Sequence, residues 1–130
     1  MRVYVPIKLP SLANTRMHWR AMAKIKQQQR RAVKYALIGK TVPPLPLTIT
    51  ITRIGARKLD DDNLRSACKY VRDQIAEFVG VDDGSTLYTW RYDQRTAPRG
   101  QHGIGIEIAE YMGFCQTGTA VEQSNENDSQ

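Results

Sequence analysis

Leu47-Thr48-Ile49-Thr50-Ile51-Thr52-Arg53 is the stretch around which the rest of the chain can be ordered. Its apolar residues recur every second position and its threonines fill the positions between, the period of a strand with one face in a core. Downstream, Arg53 to Leu59 forms a basic approach to Asp60-Asp61-Asp62-Asn63. A helix is then expected from about residue 62 to 79, burying Leu64, Ala67, Cys68, Val71, Ile75 and Phe78, with Gly80 suited to its C-terminal cap. Upstream, Gly39 and Pro43-Pro44-Leu45-Pro46 stop a long basic amphipathic helix expected from about 15 to 39. Its apolar stripe is Met22, Ile25, Ala32, Val33, Ala36 and Leu37.

Before that helix, Val3, Val5, Ile7 and Leu9 alternate as a first strand. Pro6 has no amide donor, which places this strand at or near a sheet edge. Tyr88, Trp90 and Tyr92 mark a third strand, and Ile104, Ile106 and Ile108 a fourth. Between them Arg95 and Arg99 are expected on a hairpin loop. The order is β-α-β-α-β-β, an α+β class with a small mixed sheet of about four strands and two helices. Residues 1–115 read as one domain. Residues 116–130 are polar, acidic and without periodicity, and are expected to be a disordered tail.

The chain has 130 residues and a mass of 14.8 kDa, enough for one core without a disulfide staple. No apolar run approaches the roughly 20 residues of a membrane span, and the start lacks the pattern of a signal peptide. Two isolated cysteines, Cys68 and Cys115, argue against a disulfide framework or a Cys-rich zinc site. A cytoplasmic location is expected. The net charge of +6 hides a sharp division. Residues 1–58 carry thirteen Lys or Arg and no acid, whereas residues 59–115 carry six bases and ten acids. A cationic first half points to a polyanion, because each phosphate contact releases condensed counterions.

Two acidic patches interrupt this chain. Asp60-Asp61-Asp62 enters the second helix, and Asp82-Asp83 follows it. If the second and third strands are neighbours, the patches can meet at one end of the sheet. Phosphodiester hydrolysis needs phosphate charge neutralised and a water activated, and hard divalent cations held by carboxylates do both. Helix caps and turns use the same residues: an aspartate at a helix start is favoured as a cap and by the helix dipole, and Asp82-Asp83-Gly84 is a common turn sequence. The spacing does not match an EF-hand.

The stretch Asp60-Asp61-Asp62-Asn63-Leu64, with basic residues before it and Gly80-Val81-Asp82-Asp83 after the helix, resembles the RusA family of Holliday junction resolvases. Leu9-Pro10-Ser11, with Asn14 and His18, resembles that family's first strand and loop. The resemblance spans about residues 3–110. It implies a homodimeric, bacterial or phage-encoded endodeoxyribonuclease that resolves four-way DNA junctions by paired nicks using Mg²⁺, with Mn²⁺ able to substitute. It further implies Asp60, Asp62 and Asp83 as catalytic metal ligands, with Asp82 assisting. The family lysine four residues after the second motif aspartate is replaced here by Ser66; Arg65 and Lys69 are the candidates to supply that cation.

Arg53, Arg57 and Lys58 are expected to contact DNA backbone, as are Arg65, Lys69, Arg95 and Arg99. Arg30, Arg31 and Lys34 carry the same potential on the first helix. Asn63 is expected to support the acids from behind. Tyr88, Trp90 and Tyr92 fit either base stacking or a core or dimer interface. His18 and Cys68 read as structural. Three alternatives stand beside the resolvase: a non-catalytic branched-DNA-binding protein, a metal-dependent nuclease for flaps, forks or RNA, and a basic RNA-binding protein whose aspartates serve as caps.

Overall fold

The computed structural model describes residues 1–10 and 19–111. The elements are β1 (Arg2–Val5), α1 (Trp19–Leu37), β2 (Leu47–Gly55), α2 (Asp61–Ala67), α3 (Lys69–Val79), β3 (Tyr88–Thr96) and β4 (Gly103–Glu110). They form a four-stranded mixed sheet in the order β1-β4-β2-β3 with the helices on one face, which establishes the expected α+β class. No helix among the described residues is long and apolar enough to cross a membrane.

Alternation in β2 sends Leu47, Ile49 and Ile51 into the core beside Ile104, Ile106 and Ile108 of β4. Val33 and Leu37 of α1 and Leu64, Val71 and Ile75 of the second helical segment cover them, all at most 3% exposed. Fully burying each such side chain contributes about 1.5–3 kcal/mol, so this single layer of aliphatics carries the fold. The other face of β2 presents Thr48, Thr50 and Thr52, each half-buried.

Four expectations change. The first strand ends at Val5 rather than Leu9, because Pro6 cannot extend a ladder, although β1 does lie at an edge. The expected helix over 62–79 is two helices broken at Cys68, whose ψ of 0° departs from helical geometry. Cys68 N still reaches Leu64 O (3.1 Å) and Arg65 O (3.2 Å), so the break is one residue long. In α1, Gln29 joins Val33 and Leu37 on the buried line, one turn before Val33, a place that apolar periodicity does not assign to a glutamine. Lastly, residues 97–102 are not a hairpin. β2 lies between β3 and β4, so this segment crosses the end of β2, where Ala97 N donates to Gly55 O (2.9 Å). Asn14, His18, Cys115 and the expected tail lie outside the described residues.

Candidate nucleic-acid interface

β2 carries its alternation one step beyond the aliphatics, and the next inward position is Arg53, 8% exposed. A buried guanidinium needs partners. Its Nε donates to Leu9 O (2.8 Å) and its Nη1 to Arg57 O (2.7 Å), both backbone carbonyls and not carboxylates. Burial lowers the Arg53 pKa, but an arginine so far above neutral stays charged. Gly55 makes room: a Cβ there would stand 3.1 Å from Nη1 and 3.2 Å from Nη2. The same end of the sheet opens into a cavity of about 410 Å³ lined by Lys8, Arg53, Arg57, Arg99 and His102, with no carboxylate among its described lining. Three cations expected to contact DNA are therefore brought together. Lys8 and His102 are additions that no spacing signalled, since they come from the segment after β1 and from the crossing loop.

The chain leaves this cavity through Arg57 and Lys58, both exposed, into the first acidic patch. Gln94 of β3 pins its approach, accepting from Leu59 N (2.9 Å) and donating to Leu59 O (2.7 Å). Asp60 is the N-cap of α2: its extended backbone turns the chain and its Oδ1 accepts from Asn63 N (2.9 Å). Asp61 and Asp62 occupy the first turn and are exposed. Asn63 supports Asp60 through its backbone N–H. Arg65 and Lys69 are exposed further along.

The second patch is held differently. Asp82 Oδ2 accepts from Gly84 N (3.0 Å), closing a turn. Asp83 is gripped by Arg72, whose Nε reaches Asp83 Oδ2 (3.1 Å) and whose Nη2 reaches Asp83 O (3.0 Å). Arg72 Nη1 donates to Tyr92 OH (2.8 Å), and the guanidinium lies 4.7 Å from the Trp90 ring centre. Trp90 Nε1 also donates to Asp83 O (3.0 Å), and Tyr88 OH to Val81 O (2.7 Å). The β3 aromatics thus face the helices and fasten this loop, which spends their rings and polar ends inside the fold. Sequence reading did not single out Arg72. A lone arginine on a helix gives no local sign of a partner eleven positions away.

β2 and β3 are neighbours, as the meeting of the two patches required, but they run parallel, Leu47 opposite Tyr88 and Gly55 opposite Thr96. Asp60 follows the far end of β2, whereas Asp83 precedes the near end of β3. Both patches nevertheless come to the same side of β3, Leu59 beside Gln94 and Asp83 beside Trp90 and, through Arg72, Tyr92. Among the described residues no three His, Cys, Asp or Glu side chains are placed to hold a metal ion together. The set Asp60, Asp62 and Asp83 implied by the resemblance is thus not preassembled among the described residues. Asp60 and Asp62 do fit as a pair, because Mg²⁺ commonly takes one or two protein carboxylates and completes its shell with water and substrate phosphate.

The remaining basic residues divide. Arg30 is committed to Gln74 Oε1 (3.0 Å) and Glu77 Oε1 (2.7 Å) across the α1–α3 contact, so its role is packing. Arg31 and Lys34 stay exposed on the same groove. Arg95 lies at the end of β3 but on the open face of the sheet, near Arg2 and Asp93, away from the cavity. Cys68 is buried, and burial pushes its thiol up to about 12, so it is inert near neutral pH. Compared with protein-family models, curated proteins and solved structures, the chain matches none.

Proposed function

We propose that this chain is a Mg²⁺-dependent, structure-selective endodeoxyribonuclease that nicks four-way DNA junctions as a homodimer, in the manner of the RusA family its motifs resemble. The observation that carries the reading is the pairing, at one end of the sheet, of an acid-free cationic surface with the exposed carboxylates that open α2. Lys8, Arg57, Lys58 and Arg99 attract and hold backbone phosphates. Asp60 and Asp62 are the residues that would hold the cation. When bound, such an ion supplies charge neutralisation at the phosphate and a water activated near neutral pH. Asp60 keeps one carboxylate oxygen for this after capping the helix with the other. Asp83, expected from the resemblance as a third ligand, is paired with Arg72, and Arg72 is the cation nearest that patch in place of the family lysine absent at Ser66. Selectivity for junctions, the dimer and the use of DNA rather than RNA rest on the resemblance.

One observation favours a second reading, a branched-DNA-binding protein without catalysis. Asp60 caps a helix, Asp82 closes a turn and Asp83 completes an ion pair, so three of the five clustered aspartates have structural work. A nicking assay on a synthetic four-way junction, beside a linear duplex of the same sequence, separates the two. Paired Mg²⁺-dependent nicks on the junction alone, abolished by chelator and by Asp62→Asn with binding retained, are the expected result. Tight junction binding with no cut under Mg²⁺ or Mn²⁺ would replace the nuclease with the binding protein.

A further inference from the structure

The cavity at the end of β2 has features that an exposed basic strip does not need. From them we infer that it is a recessed phosphate site, which takes a single phosphate group with part of its attached nucleoside. This goes beyond the nuclease reading and would survive its failure, since nothing in it depends on a metal or on cleavage.

Arg53 is the foundation. It is 8% exposed, faces no carboxylate among the described residues, and has two of its nitrogens fixed by backbone carbonyls. Those two bonds set the plane of the guanidinium. The third nitrogen, Nη2, donates to nothing among the described residues, and Arg53 lines the cavity. Burying a guanidinium is costly unless its charge is answered, and the described residues supply only neutral carbonyls. An anion entering the cavity supplies the missing charge. Planar guanidinium donors match phosphate oxygens, and a prefixed one loses little freedom on binding.

The surroundings agree with this. Lys8, Arg57 and Arg99 reach the cavity from three separate segments, and no acid is present among its described lining to neutralise them. A solvated basic face would carry its cations outward without enclosing space. The volume of about 410 Å³ exceeds a bare phosphate and lies in the roughly 300–1,000 Å³ range of small-molecule sites. Gly55 is the specificity device for Arg53: a side chain there would press on Nη1 and Nη2 and tilt the donors.

Calorimetric titration of the full chain at low salt tests the inference with four probes: inorganic phosphate, deoxyadenosine 5′-monophosphate, the dinucleotide d(ApA) and phosphate-free deoxyadenosine. Binding of the phosphate-bearing probes, with none of deoxyadenosine, is the expected result. Tighter binding of the monophosphate than of d(ApA) identifies a strand-end phosphate as the natural occupant, and the reverse identifies an internal phosphodiester. Because Arg53 also holds Leu9 and Arg57, its variants can fail by unfolding. Lys8→Ala and Arg99→Ala, both at exposed positions, avoid that problem and should each weaken binding about tenfold, whereas Lys24→Ala on α1 should not. Gly55→Ala should weaken it while the protein stays folded. No binding of any phosphate probe at millimolar concentration, equal binding of deoxyadenosine, or affinity indifferent to both Lys8→Ala and Arg99→Ala would each overturn the site. Junction nicking that persists alongside such a failure would leave the nuclease standing, and phosphate binding without nicking would do the opposite.

Discussion

The two acidic patches have similar composition but opposite employment. At the start of α2 the chain presents three consecutive aspartates of which, among the described residues, only Asp60 is bonded, through one oxygen, to Asn63 N. In the loop after α3, Asp83 is held through carboxylate and carbonyl by one arginine, which is itself held by Tyr92 and stacked on Trp90. Available lone pairs and solvent access leave the first patch open, as the proposed function requires. In the second patch Asp83 is a fastening, its charge answered by Arg72. Similar residues acquire different chemistry from the elements that flank them: a helix start exposes its first turn, whereas a loop folded against an aromatic strand is tied down.

Four measurements would break or sharpen that contrast. The largest effect is expected in catalysis: Asp62→Asn should lower junction nicking on the order of 100-fold with the unfolding midpoint unmoved. A variant that nicks as well as wild type would erase the functional half of the comparison. Next, Arg72→Ala should cost about 2 kcal/mol in chemical denaturation, since three hydrogen bonds and a ring contact go together. A loss within error would show that the Asp83 fastening is ornamental.

Cys68, at the break between the helices that carry the two patches, gives a pH signature. Burial raises its thiol from 9.0 to about 12, so the unfolded chain releases this proton at lower pH than the folded one. The contribution to stability is therefore constant below 9.0 and falls as pH rises from there toward 12, by up to about 1.4 kcal/mol per pH unit. Denaturation across that window should show a shallower alkaline decline for Cys68→Ala than for wild type, after allowing for its packing loss. Parallel declines would mean that the thiol is not held protonated. The smallest effect belongs to the cap: Asp60→Ala should cost about 1 kcal/mol and Asp60→Asn much less, because Asn caps nearly as well. Equal losses would indicate that charge at the helix start, and not the bond to Asn63 N, is what Asp60 contributes.

Much of the fold was legible locally. The alternation of Leu47, Ile49 and Ile51, the matching isoleucines of β4, and the stripe from Leu64 to Ile75 report burial directly, because a strand or helix repeats at a fixed period. Pro6 announced an edge because a missing donor has the same consequence in any sheet. Gln29 and Cys68 were less legible: one is a polar residue on an apolar line, the other an apolar residue at a break, and periodicity has no term for either. The hairpin expected around Arg99 failed because two strands adjacent in sequence need not be adjacent in a sheet.

The site divides along the same line. The charge segregation, the Asp60-Asp61-Asp62 run and the position of Asp60 at a helix start follow from the sequence, since a cap and a charge are properties of a few consecutive residues. Whether cations separated by tens of residues converge is a property of topology. Lys8, Arg53 and Arg99 share a cavity because β2 lies between β3 and β4 and the crossing loop must pass over its end. Both acidic patches come against β3, one through Leu59 on Gln94 and the other through Asp83 on Trp90, because β3 is the neighbour of β2. Strand order and direction are decided by how whole faces bury together, a sum over the entire core that no single stretch of the chain contains.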